Sequence, residues 1–171
     1  MKENLSWLTS ERMLPLAGLV AIQMILAYEW LSAGWGKISS PKFVDGIAET
    51  FGYFASQNPY LWYKSFLLGF ATENATLFAY LVEWGQVIIA ITLFTAGITY
   101  LYTEKMSAKK TALKLSAFAL LGGMLMNANF YLAAGWTSPS THGINLIMFL
   151  IQAVLACVWC YQVNHYESEI L

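Results

Sequence analysis

The sequence predicts an all-α integral membrane protein: a four-transmembrane-helix bundle with two short amphipathic interfacial helices between spans one and two. Three observations predict it. First, 58% of the 171 residues are hydrophobic and 11% are charged, whereas a typical soluble domain carries about 25% charge. With a mean hydropathy of +0.53, a soluble chain of this size could not hide its apolar surface, so the bilayer is part of its solvent. Second, four apolar runs, near 14–38, 76–102, 112–134 and 141–161, each supply the roughly 20 residues a crossing needs. Third, the stretch 39–75 is too long for a turn and too broken for a span. The chain therefore reads as a single membrane domain over 1–171, with an outer lid at 39–75.

Residues 1–13 form a polar lead-in, and Pro15 falls in the first turn of span one, where its missing N–H costs little. The first apolar run is too long for a secretory signal and has no small-residue cleavage site, so it is expected to remain as a span. Its end, residues 29–41, packs Glu29, Trp30, Gly34, Trp35, Gly36 and Lys37 into about two and a half helical turns. On a helix Glu29, Ala33 and Gly36 share one stripe, and Gln23, Trp30 and Lys37 share another. A carboxylate inside an apolar span is costly and is by default a functional hypothesis.

In the lid, Ser40-Pro41 reads as an N-cap followed by proline at the first helical position. Phe43, Val44, Ile47, Ala48, Phe51, Phe54 and Ala55 then recur at three and four, with Lys42, Asp45, Glu49 and Gln57 opposite. This is the pattern of a helix lying in the interface. Asn58-Pro59 repeats the signal, and the aromatics at 60, 62, 63, 66 and 70 suit the interfacial belt. Span two carries Glu83 with Gln86 on the same face; span three carries Asn127 and Asn129, about 200° apart; span four carries Asn145 and Gln152 on one stripe. A tight polar turn at 135–143 holds His142.

Six Lys and Arg (Lys2, Arg12, Lys105, Lys109, Lys110, Lys114) fall on one side of this arrangement and three (Lys37, Lys42, Lys64) on the other. The positive-inside rule then puts both termini in the cytoplasm of a multi-pass cell-membrane protein, with the lid outside. Measured at 1.5 Å per residue, Glu29, Glu83, Asn129 and Asn145 lie roughly 5–12 Å from the outer ends of their helices. This common level suggests a site. Gln23, Gln152 and Asn127 read equally well as interhelical hydrogen bonders, Lys37 as a snorkelling anchor, His142 as a solvated turn residue, and Trp30 and Trp35 as belt residues. A net charge of −1 argues against nucleic acid. His142 and His165 sit at opposite ends of span four, so neither a haem nor a metal site is expected. Cys157 and Cys160 form a C-x-x-C within a helix, read as small buried hydrophobes in preference to a redox pair.

Four segments carry a resemblance: Trp30-Leu-Ser-Ala-Gly-Trp-Gly-Lys37 with Pro41, Asn58-Pro-Tyr-Leu-Trp-Tyr63, Leu77-Phe-Ala-Tyr-Leu-Val-Glu83, and Asn129-Phe-Tyr-Leu-Ala-Ala-Gly135 with Asn145. Over about 15–160 the chain resembles the DoxD family, within the wider DoxX-like group. The resemblance implies the membrane subunit of a thiosulfate:quinone oxidoreductase, which joins two thiosulfates into tetrathionate and passes two electrons to a quinone. It also implies a small DoxA-like partner subunit and association with a quinol-oxidising respiratory chain. Gln86 stands where relatives in the wider group often carry an acidic residue, leaving Glu83 as the carboxylate of that span's interior. The expected site has Glu29 and Glu83 managing protons, and Lys37 and His142 attracting an oxyanion. Asn129 and Asn145 complete the substrate pocket, and Trp30 and Trp35 wall a quinone ring. The rival readings are a non-catalytic accessory subunit of a terminal quinol oxidase, and a quinone-linked disulfide-forming protein that uses the two cysteines.

Overall fold

The computed structural model describes the backbone of residues 6–168 and the side chains of 15–165. The lead-in at 1–5 and the Arg12 side chain lie outside the described residues. Six helices follow in order: α1 (Ser6–Ile38), α2 (Lys42–Gln57), α3 (Leu61–Phe66), α4 (Ala75–Tyr102), α5 (Met106–Ala134) and α6 (Pro139–Ser168), with a π-helical segment, Leu67–Ala71, continuing α3. Among the described residues there is no strand. Four helices are long and apolar enough to cross a membrane: Pro15–Ile38 within α1, α4, α5, and Pro139–His165 within α6. The fold is therefore the expected four-span bundle with two short helices between spans one and two. The helices outrun the apolar windows at several ends, because backbone hydrogen bonding continues into polar sequence. α5 starts at Met106, well before residue 112, and α6 continues past residue 161 to Ser168.

The connections from α4 to α5 (103–105) and α5 to α6 (135–138) are short, which makes consecutive helices antiparallel neighbours. α1 packs on α4, α4 on α5 and α5 on α6, with lighter contact between α1 and α6. The bundle core is sealed by Leu93, Leu120 and Trp159, each fully buried. Gln23 ties all four long helices together. Its Nε2 donates to the Leu93 carbonyl at 2.8 Å and to Ser116 Oγ at 3.0 Å, while its Oε1 accepts from Trp159 Nε1 at 2.7 Å. Asn127 Nδ2 donates to Gln152 Oε1 at 3.1 Å, joining α5 to α6. Gln23, Asn127 and Gln152 are thus interhelical hydrogen bonders, the role such groups commonly take where no water competes.

α2 and α3 lie across one end of the bundle and carry their own core. Ile47, Phe51 and Ala55 of α2 pack with Tyr63, Leu67 and Ala71, against Ala79 of α4 and Ala133 of α5. The polar positions Lys42, Asp45, Glu49 and Gln57 are exposed, so α2 has the two faces its periodicity predicts. Ser40 contributes its carbonyl, which accepts from the Phe43 N–H at 3.0 Å, and not a side-chain cap. Asn58 does more than begin a helix. Its Oδ1 accepts from the Tyr60 N–H at 2.9 Å and its Nδ2 donates to the Leu132 carbonyl at 2.6 Å, which pins the α2–α3 corner to the end of α5.

Candidate functional site

A cavity of about 500 Å³ lies between this lid and the bundle. It is lined by Lys37 from α1, the inner face of α2, Tyr63, Phe66, Leu67 and Ala71 from the second half of the lid, Phe78, Leu81, Val82 and Gln86 of α4, six residues of α5 including Met126, Asn129 and Phe130, and Thr141 and Asn145 from α6. Its walls are mostly aliphatic and aromatic. In that wall Phe66 and Phe78 pack edge-to-face, with ring centroids 6.0 Å apart, an arrangement rings favour.

Lys37 is the one charged residue among those lining the cavity. It sits in the last turn of α1, half-buried, with Nζ donating to the Ala33 carbonyl at 3.2 Å and lying 5.8 Å from the centroid of the Phe43 ring. A cation over a ring face is stabilised by the ring quadrupole and remains able to meet an anion. Tyr63 reaches down from the lid, its hydroxyl donating to the Asn129 carbonyl at 3.3 Å and lying 3.4 Å from Asn129 Oδ1. Burial raises the Tyr63 phenol above its ordinary value of 10.0, because desolvation disfavours the phenolate. Asn129 and Asn145 each turn Nδ2 back to a carbonyl four residues earlier, Leu125 and Thr141, both at 2.8 Å.

The structure also brings in a residue that the sequence reading left out of the site. Gln86 lines the cavity from α4 and is only 3% exposed, yet its Oε1 has no hydrogen-bond partner. The sequence signal for it was its place three residues after Glu83, on the same face. Gly34 is what lets α1 close on this part of α4. A Cβ there would meet Val87 Cγ2 at 2.8 Å, Gln86 Cβ at 3.1 Å and the Glu83 carbonyl oxygen at 3.1 Å.

The expected site is therefore assembled in part. Lys37, Asn129 and Asn145 converge on one cavity; Glu29, Glu83, Trp30, Trp35 and His142 do not line it. Of the two stripes on α1, the one with Gln23, Trp30 and Lys37 turns inward, and Glu29 is left exposed on the outside of the helix. Trp35, 64% exposed, shares that outward orientation and cannot wall a ring inside the bundle. Trp30 is buried behind the cavity wall, tilted against Phe130 at 6.5 Å between centroids. Glu83 is buried on α4, close to the contact with α1. His142 lies in the first turn of α6, where Nε2 pairs with the Tyr131 hydroxyl at 3.0 Å and the ring meets Trp136 edge-on at 5.4 Å. Cys157 and Cys160 are free and exposed on α6, not buried as expected, because Trp159 takes the inward position between them. Comparison with family models, with curated proteins and with solved structures finds no match to this chain.

Proposed function

We propose that this chain is the membrane subunit of a thiosulfate:quinone oxidoreductase of the DoxD kind, with the cavity beneath the lid as its reaction site. The observation that supports the reading best is the cavity's composition: apolar and aromatic walls, a single cation and a few amides, in a multi-pass helical bundle. Aromatic walls with a small number of placed polar groups are what a flat, lipid-soluble ring requires. Gln86 is buried at the wall with its Oε1 unpaired, so its carboxamide is free to pair with such a ring, its N–H donating to a carbonyl or its Oε1 accepting from a hydroxyl. When bound, a quinone supplies the sink for two electrons and two protons. Two thiosulfate dianions release those two electrons as they join through a new S–S bond to give tetrathionate.

In this reading Lys37 attracts the sulfur oxyanion by a charge-assisted contact. Asn129, Asn145 and Gln86 orient the ring. Lys37 and Tyr63 are the cavity's ionisable groups and hold the protons, a role the sequence reading gave to Glu29 and Glu83. A DoxA-like small subunit, a quinol oxidase downstream, and a cell-membrane setting with both termini cytoplasmic complete the proposal. The test is quinone reduction by the purified protein, with its small subunit, across a panel of sulfur oxyanions. Lys37→Met should lower kcat/KM for thiosulfate by about tenfold or more, the loss of a charge-assisted hydrogen bond, while quinone binding persists. Absence of turnover, together with loss of a larger oxidase complex on deletion, would instead establish an accessory subunit.

A further inference from the structure

The cavity opens to one side of the bundle. Leu81 of α4 and Leu125 of α5 line it and are 57% and 68% exposed, and Asn129, also in its wall, is exposed as well. α4 and α5 meet at Gly85 and Met126, where a Cβ on the glycine would touch Met126 Sδ at 3.4 Å. Counted at about 100° per residue, Leu81 lies about 40° to one side of Gly85 and Gln86 about 100° to the other. On α5, Asn129 and Leu125 lie about 60° and 100° to one side of Met126, and Phe130 about 40° to the other. Gln86 is buried and Leu81 and Leu125 are exposed, so the cavity passes through the α4–α5 seam from the bundle interior to its outer surface. α4 and α5 have 28 and 29 residues; helices of that length run about 42–44 Å, against about 30 Å of hydrocarbon, which leaves about 6–7 Å at each end among headgroups. Leu81 and Leu125 stand roughly 9 and 14 Å from the lid ends of their helices. The opening therefore faces lipid chains and not water. Tyr63 roofs it, with its hydroxyl on the Asn129 carbonyl at 3.3 Å, and the Gly85–Met126 contact floors it.

We propose that this opening is a lateral doorway to the bilayer: the ring ligand enters the cavity between α4 and α5, and its alkyl tail stays threaded past Leu81 and Leu125 into the lipid. The inference rests on the quinone reading above and adds to it the route and the class of quinone, one that carries a long tail and is dissolved in the membrane. Leu81 and Leu125 give the tail apolar contact on both sides of the seam. The tail passes from protein to hydrocarbon without meeting water, so no apolar surface has to be hydrated while the ring is seated. The polar groups lie where the ring would be, with Gln86, Asn145 and Lys37 further along the same cavity. The lid then has no need to open for the quinone, and the Lys37 end is left to the water-soluble substrate.

The experiment is equilibrium binding of two radiolabelled benzoquinones, one with a decyl tail and one with none, to the full chain in lipid nanodiscs, with affinities referred to concentration in the bilayer. Leu81→Trp and Leu125→Trp each add bulk at an exposed rim position and should weaken binding of the tailed quinone about tenfold or more, the scale of forcing atoms into filled space. The tailless ring should bind as to wild type, because the route of entry does not alter an equilibrium. Ile147→Trp, at an exposed position of α6 away from the cavity, should change neither. Unaltered binding of the tailed quinone in both rim variants would overturn the doorway, and so would an equal loss for both ligands, which would put the ring and not the tail in the opening. A second measurement needs no variant: a diazirine on the first carbons of the tail should label wild type near Leu81 and Leu125, and labelling confined to the lid would refute the route. Labelling of those positions by a diazirine phospholipid that excess tailed quinone does not displace would give the opening to a bilayer lipid and overturn the proposal. Failure of both quinones to bind wild type would remove the quinone reading itself.

Discussion

Replacing Gln23 by leucine should remove the one junction that all four long helices share. The side chain is 1% exposed and makes three hydrogen bonds, at 2.8, 3.0 and 2.7 Å, to α4, α5 and α6. Hydrogen bonds between membrane helices average about 0.6 kcal/mol each, so losing three costs about 2 kcal/mol. Leucine fills much of the same volume, and no large cavity cost follows. Trp159 Nε1, however, is left in a residue with no exposed surface and without its acceptor, which adds about 1–3 kcal/mol. Ser116 can turn its hydroxyl elsewhere, and the Leu93 carbonyl keeps its place in the α4 ladder. After allowance for the better transfer of leucine into an apolar interior, the expected net loss is about 2–4 kcal/mol. Reversible unfolding in mixed micelles with increasing denaturing detergent would measure it. A double-mutant cycle with Trp159→Phe would isolate the shared bond, with a coupling of about 1 kcal/mol or more. A Gln23→Leu protein within about 0.5 kcal/mol of wild type, or a cycle that closes to zero, would refute the view that this junction holds the bundle together.

Three further outcomes follow from the geometry of the lid and of α1. Asn58→Ala should loosen the lid alone, by about 1–3 kcal/mol, seen as faster amide exchange across 42–71 with the four long helices unchanged; uniform exchange would contradict the pinning role of Asn58. Glu29→Gln should leave folding and quinone binding as they are, since Glu29 faces away from the cavity; a large loss of binding in the folded variant would return Glu29 to the site. The Tyr63 phenol has its pKa raised above 10.0 by burial, so its contribution is complete below that pH and is lost as pH rises through the folded-state value. Amide exchange of the lid should therefore rise above about pH 10 in wild type, with this step missing in Tyr63→Phe.

Periodicity identifies the buried face of some helices and not of others, for a physical reason. α2 lies at a boundary between water and an apolar surface, so its periodicity carries the answer: Ile47, Phe51 and Ala55 are buried, and Lys42, Asp45, Glu49 and Gln57 are exposed. The spanning helices have no such contrast. Lipid tails are as apolar as a protein core, and the outward residues Ile22, Ile25 and Leu31 of α1 are no less apolar than the inward Val20, Leu26 and Ala27. Periodicity therefore yields two stripes on α1 and cannot say which faces the bundle. The expected site draws on both stripes, Glu29 from one and Trp30 and Lys37 from the other, and packing turns inward the one with Gln23, Trp30 and Lys37.

Depth could not separate adhesive polar groups from functional ones either. Asn127 and Asn129 are two residues apart on α5, yet one is bonded to Gln152 inside the bundle and the other lines the cavity. What separates them is where each polar atom finds its partner. Gln23 has partners on three other helices and is structural, whereas Gln86 stands at a cavity wall with an acceptor unmet. A buried polar atom in hydrocarbon surroundings has no water to fall back on, so an unmet one beside an open volume points to what the volume is for. By that criterion the weight of the site moves from the two glutamates, which first mark the sequence as unusual, to an uncharged glutamine and the lysine at the end of α1.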